Sequence, residues 1–138
     1  MAKFSLAIGF AAAVLVAVFT LHLATPSVAA AASDGKAIFE KNCASCHQAS
    51  GKGTPGAFPP LAGNKDVTAS NPKEMIKIVL NGLNTPKKIN GQQYGGGMPP
   101  WKGTLSNADV AAVLTYVRSS WGNKASAVTE KQVAAATK

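Results

Sequence analysis

Cys43-Ala44-Ser45-Cys46-His47 decides how this chain is read. Two cysteines three positions apart, the second followed directly by a histidine, meet the requirement for covalent haem attachment. Each thiol can add across one vinyl group of the macrocycle, and the adjacent imidazole then lies beneath the iron as an axial ligand. They are the only two cysteines in 138 residues, so attachment would consume both and leave no disulfide. The short string also arises by chance, and two other chemistries use it. A redox Cys-x-x-Cys belongs beside a βαβ pattern, and no strand-like alternating run lies nearby. Structural zinc takes four protein ligands. Cys43, Cys46 and His47 supply three, and the other histidine, His22, sits in the apolar N-terminus.

That N-terminus places the chain outside the cytoplasm. Met1-Ala2-Lys3 is a short basic start, Phe4 to Leu23 is almost wholly apolar, and Thr25-Pro26-Ser27 breaks the run. Val28-Ala29-Ala30-Ala31-Ala32 then offers small-residue cleavage sites, which completes a secretory signal over 1–32. The competing reading is an uncleaved anchor, since an apolar run of about 20 residues approaches a membrane span. Either way the remainder faces the periplasm, free or held at the inner membrane, and His22 needs no functional role.

The remainder divides into one small domain over 33–122 and a tail over 123–138. Loss of Lys3 with the leader leaves 13 basic against 6 acidic residues, or +7, against +8 for the whole chain. Such a surface suits an acidic protein partner or an anionic membrane. An exported chain without a dense Lys/Arg cluster argues against nucleic acid. A domain this small stabilises itself poorly by core burial alone, and a buried porphyrin would enlarge its core.

The spacing predicts helices joined by Gly/Pro-rich loops, with no strand. Ser33-Asp34 caps a first helix that runs into the cysteine motif, with Gly35, Phe39 and Cys43 four apart on one face. Asn71-Pro72-Lys73-Glu74 starts a second, with Asn71 as cap, Pro72 at the first helical position and Glu74 closing a capping box. Met75, Ile76, Val79 and Leu80 face inward, and Gly82 stops it. Ser106 caps the last core helix, in which Val110, Val113, Leu114, Val117 and Trp121 recur at helical spacing until Gly122. Arg118 suits the dipole at its C-terminal end. The tail, rich in Ala, Lys and Thr, shows no core face.

With His47 on one side of the iron, the sixth position calls for a second donor. Met1 belongs to the leader, and Met75 sits on a helix face where a thioether fills core space. Met98 differs. It follows Gly95-Gly96-Gly97, which let backbone pass close to a flat ligand, and it precedes Pro99-Pro100, which restrict the loop.

These residues resemble one family, the small bacterial class I cytochromes c, over about Asp34 to Gly122. Gly35, Phe39, Cys43, Cys46 and His47 stand as in its N-terminal helix and haem-binding motif. Pro59-Pro60-Leu61-Ala62-Gly63 is similar to its Pro-x-Leu-x-Gly segment, which implies that the Pro59 carbonyl accepts the axial histidine's other N–H, with Leu61 beside the haem. Asn90-Gly91-Gln92-Gln93-Tyr94 and Met98-Pro99-Pro100-Trp101 resemble its distal methionine loop, which implies contacts from Tyr94 and Trp101 and ligation by Met98. Val113 and Tyr116 fall where its C-terminal helix crosses the first.

The resemblance implies an all-α class I cytochrome c fold around one covalently bound haem c. It also implies a non-enzymatic role, one-electron transfer in a respiratory chain. Two strong-field ligands leave the iron no open site, and the methionine raises the potential. The implied partners are redox proteins with acidic docking patches, a dehydrogenase or a terminal oxidase. Lys41, Lys52, Lys65 and Lys102 are candidates to ring the electron-exit edge and steer them. The alternative is a haem peroxidase or gas sensor in which Met98 leaves the iron. No catalytic acid/base pair is visible in the sequence.

Overall fold

Two helix starts are tied together at the edge of the core. Asp34 accepts the N–H groups of Lys36 and Ala37 at 3.0 and 3.2 Å and so caps α1 (Gly35–Asn42). Ser106 and Asp109 form a capping box at the start of α4 (Asn107–Ser119). The Ser33 hydroxyl donates to Asp109 Oδ1 at 2.7 Å and joins the two. The helices then cross where the glycine spacing predicts. A Cβ on Gly35 would run into the Ala112 carbonyl and stand 3.0 Å from Tyr116 Cβ. One helical turn on, Phe39 is 1% exposed and packs its ring 5.6 Å from Tyr116 and 5.1 Å from Trp121.

The structure, a computed structural model, describes residues 33–95 and 97–137. The expected leader over 1–32, with Met1 and His22, lies outside them, as does Gly96. Among the described residues α2 (Ala44–His47) follows α1 after a break at Cys43, and α3 is Lys73–Asn81. A short antiparallel hairpin, β1 (Lys87–Ile89) and β2 (Gln92–Tyr94), precedes α4, and α5 (Glu130–Ala136) ends the chain. The core is helical. Phe39, Ile76, Leu80, Val110, Val113, Leu114 and Val117 form one buried cluster with Val128 and Val133.

Four expectations need correction. Residues 84–100, expected to hold no strand, contain two, because Asn90 and Gly91 both adopt positive φ (49° and 87°) and reverse the chain between Lys87-Lys88-Ile89 and Gln92-Gln93-Tyr94. Helix α3 begins at Lys73 rather than Pro72. Asn71 still accepts the Lys73 N–H at 3.0 Å, but the boundary residue Pro72 carries no side-chain cap, and the box with Glu74 does not form. Helix α4 stops at Ser119, short of Gly122. Trp121 lies beyond it at φ 54°, held by an indole N–H to the Ala49 carbonyl at 3.0 Å.

The fourth correction is the largest. Residues 123–137 do have a core face. Thr129 and Gln132 make a capping box for α5, and Val128 and Val133 are buried against α3 and α4. Arg118 is 0% exposed and does not point to solvent at a helix end. Its guanidinium donates to the carbonyls of Val67, Ala69 and Ser126 at 2.6, 3.0 and 2.7 Å. Those bonds satisfy a buried cation and join the tail to the 64–69 loop.

Candidate cofactor site

The elements enclose a cavity of about 380 Å³ with mostly apolar walls. Cys43, Cys46 and His47 enter from the α1–α2 corner, and Pro59 and Leu61 from the following loop. Tyr94 enters from β2, and Met98 and Trp101 from the loop before α4. All eight residues singled out in the sequence line this one space. Phe39, Val79, Val113 and Leu114 continue it into the core.

His47 is oriented by backbone. Its Nδ1 lies 3.0 Å from the Pro59 carbonyl. A carbonyl only accepts, so Nδ1 carries the hydrogen and Nε2 is left with a free lone pair. Burial lowers the His47 pKa, against a smaller upward pull from the Pro59 bond, and so favours the neutral form that a ligand needs. The loop reaches this position through Gly53. It sits at φ 62°, donates to the His47 carbonyl at 3.0 Å, and leaves no room for a Cβ against the carbonyls of Phe58 and Pro59.

The two cysteines are free and half-buried. Burial, with the neighbouring Cys46 thiol, pushes Cys43 up to about 11. Reactive redox dithiols depend on the opposite shift. Among the described residues no three His, Cys, Asp or Glu side chains are grouped to hold a bare metal ion, so the motif does not converge as zinc would require.

Met98 is fixed through its main chain. Its N–H donates to the Leu83 carbonyl at 3.1 Å, and its carbonyl accepts from Leu83 N–H at 3.0 Å. Trp101 and Lys102 N–H groups donate to Val79 and Leu80 at 3.0 Å each, taking up carbonyls that the end of α3 leaves unpaired. The loop is thereby sewn to the end of α3 after Pro99-Pro100 and to Leu83, just past that helix, before them. Met75 also touches the cavity, from the middle of α3, as a buried member of the core cluster.

The lysines chosen from the sequence behave differently. Lys41, Lys52, Lys65 and Lys102 are exposed and none lines the cavity, while Lys102 reaches the Thr137 carbonyl at 3.4 Å. The lysine that does line it is Lys87, with Asp66 and Glu74. The sequence reading missed this charged corner, and the Asn90-Gly91 turn was the signal that could have found it.

The Cytochrome c family model matches residues 32–121. Cytochrome c-552 of Thermus thermophilus is 37% identical over 99 residues, covering 70% of this chain and 66% of that protein. Cytochrome c6 of a Synechocystis species is 33% identical over 100 residues, covering 69% and 70%. The cytochrome c subunit of a quinone alcohol dehydrogenase from Gluconacetobacter polyoxogenes is 37% identical over 91 residues. That match covers 66% of this chain, which spans only 19% of the subunit's length.

Proposed function

The chain belongs to the cytochrome c family, whose haem c is held through cysteines of the kind at 43 and 46, and we propose that it is a periplasmic carrier of single electrons with His47 and Met98 as axial ligands. The observation that carries this reading is the His47–Pro59 bond, which leaves Nε2 as the donor nitrogen in a cavity that Met98 also lines. The residues fit the group. Two thiols stand at one corner, the walls suit a flat apolar macrocycle, and nitrogen and sulfur donors come from separate segments. Haem c supplies the one-electron couple of its iron. The chain's own residues fix that iron's surroundings.

Pro59 sets the tautomer and orientation of His47. Leu61 and Trp101 keep water from the ring. Leu83 holds the Met98 backbone, which argues for a closed site rather than one that opens to peroxide or a gas. A thioether favours the reduced iron relative to a second imidazole. The proposed partners are redox proteins with acidic docking surfaces. The dehydrogenase subunit among the relatives points to a dehydrogenase as donor, since the two chains share this module. Export rests on the 1–32 pattern, and N-terminal sequencing of periplasmic protein should begin at Ala31 or Ser33. Recovery only in membranes, with Met1 or Ala2 retained, would favour the anchor.

The deciding experiment compares two methionines. Met98→Ala should abolish the sulfur-to-iron charge-transfer band of the oxidised protein and lower the midpoint potential. Met75→Leu should keep both, because it changes core packing at similar volume. The reverse pattern would exchange the assignments. A wild-type protein without the band, binding cyanide rapidly, would replace the carrier with an enzyme or sensor.

A further inference from the structure

The hairpin gives the cavity the only lysine or arginine that lines it among the described residues. Directly opposed residues of an antiparallel pair share a face, and Lys87 stands opposite Tyr94. Ile89, two along from Lys87, lies on that face too. All three line the cavity, while Lys88 and Gln93 point to solvent and do not. Lys87 is 29% exposed, and its ammonium lies 3.2 Å from an Asp66 carboxylate oxygen. Glu74, at the start of α3, also lines the cavity. None of these charged groups comes from the α1–α2 corner that carries Cys43 and Cys46.

That separation matches the chemistry of the macrocycle, whose vinyl groups occupy one edge and whose two propionates occupy the other. Tethering the vinyl edge at Cys43 and Cys46 sends the carboxylates away from that corner. We propose that the hairpin grips this carboxylate edge, with the Lys87 ammonium, shared with Asp66, and the Tyr94 hydroxyl as the groups that hold the propionates. The inference rests on the haem assignment above. An ammonium has three donors, so Lys87 can keep Asp66 and take a propionate as well. The Tyr94 hydroxyl is bonded only at 3.4 Å, to Gln92 Oε1, and is free to turn. Without Lys87 the propionates would share the corner with Asp66 and Glu74 alone, and like charges hold carboxylates protonated to higher pH.

The test is redox titration of haem-loaded protein between pH 5 and 8. Lys87→Gln should lower the midpoint potential at pH 8, because an unbalanced carboxylate favours ferric iron, and should steepen its rise as pH falls. Lys88→Gln removes the same charge from the opposite face of the hairpin and should leave both unchanged. Lys87→Arg should restore the wild-type curve, and Asp66→Asn should raise the potential. Equal shifts in the Lys87 and Lys88 variants, or none in Lys87→Gln, would overturn the inference. If Lys87→Gln fails to accumulate, Asp66→Asn decides by the sign of its shift, and no rise would count against the grip. The charge-transfer band of each variant keeps this result separate from the axial-ligand reading. A band retained with no shift sinks only the propionate grip, whereas protein without haem or without the band sinks the reading beneath it.

Discussion

Helix α4 meets the rest of the chain on two sides, and the two contacts are built differently. Toward α1 it presents Ala112 and Tyr116 to Gly35 and Phe39, and the fit is apolar and close enough to exclude a methyl group. Toward the C-terminal segment it presents Thr115 and Arg118. There Thr115 Oγ1 donates to the Val128 carbonyl at 3.2 Å and accepts its N–H at 2.9 Å, while Arg118 bonds Ser126 and the 67–69 loop. The first contact has shape as its constraint and cannot absorb added volume. The second has hydrogen bonding as its constraint and cannot absorb a lost donor. The family match ends at residue 121, so the first contact lies within the shared module and α5 lies beyond it.

The sharpest way to break this comparison is Arg118→Met, which keeps most of the apolar stem and removes every donor. The carbonyls of Val67 and Ala69 would then lose a partner inside the fold. Each buried group left unpaired costs about 1–3 kcal/mol, so the loss for two should be about 2–6 kcal/mol. Thermal unfolding of the haem-loaded protein measures it. Because Val67 also lines the cavity, the Soret circular dichroism should change as well. A stability loss under about 1 kcal/mol would mean that the polar side of α4 is incidental to the fold.

Gly35→Val probes the other side. The new side chain must push the Ala112 carbonyl away, and overpacking of this kind typically costs about 1–3 kcal/mol. Against a small domain's total stability that is a substantial loss. Unchanged thermal stability would show that α1 and α4 can slide apart, and that the crossing is looser than its geometry implies.

The two sides of α4 also differ in how far the sequence disclosed them. Gly35, Phe39 and Cys43 recur every four residues, and Val110, Val113, Leu114 and Val117 follow at helical spacing, so periodicity alone orients both helices. The five-residue motif and the Gly/Pro-framed Met98 were each marked locally, but it was haem-ligation chemistry and the family resemblance that set them on opposite sides of one cavity. Arg118 carried no such mark. A buried arginine and a solvated one read alike until the carbonyls around it are known, and those lie about 50 positions back in the chain. Val128 and Val133 are isolated apolar residues among alanines, too sparse to show a face. The hairpin was legible in part, because Asn90-Gly91 between two polar-apolar segments is a turn signal, but strands of three residues each are too short to show an alternating pattern.

The smallest expected effect tests whether the ends of α1 and α4 add anything to their crossing. Ser33 donates to Asp109 Oδ1 at 2.7 Å, beside the Ser106 bonds to the same carboxylate. Bonds from the Ser106 side chain first, and Ser33 second, lower the Asp109 pKa. A carboxylate whose folded pKa is depressed contributes stability above its unfolded value, and loses it as pH falls through the folded one. Ser33→Ala should therefore destabilise the protein at pH 7 by about 0.5 kcal/mol, the low end for an intramolecular hydrogen bond. The difference from wild type should shrink once the pH is well below the ordinary aspartate value of 3.8. Thermal unfolding at the two pH values decides it. A deficit that stays constant at acid pH would show that Ser33 acts through packing at the head of α1, and that the charge on Asp109 takes no part in joining the helices.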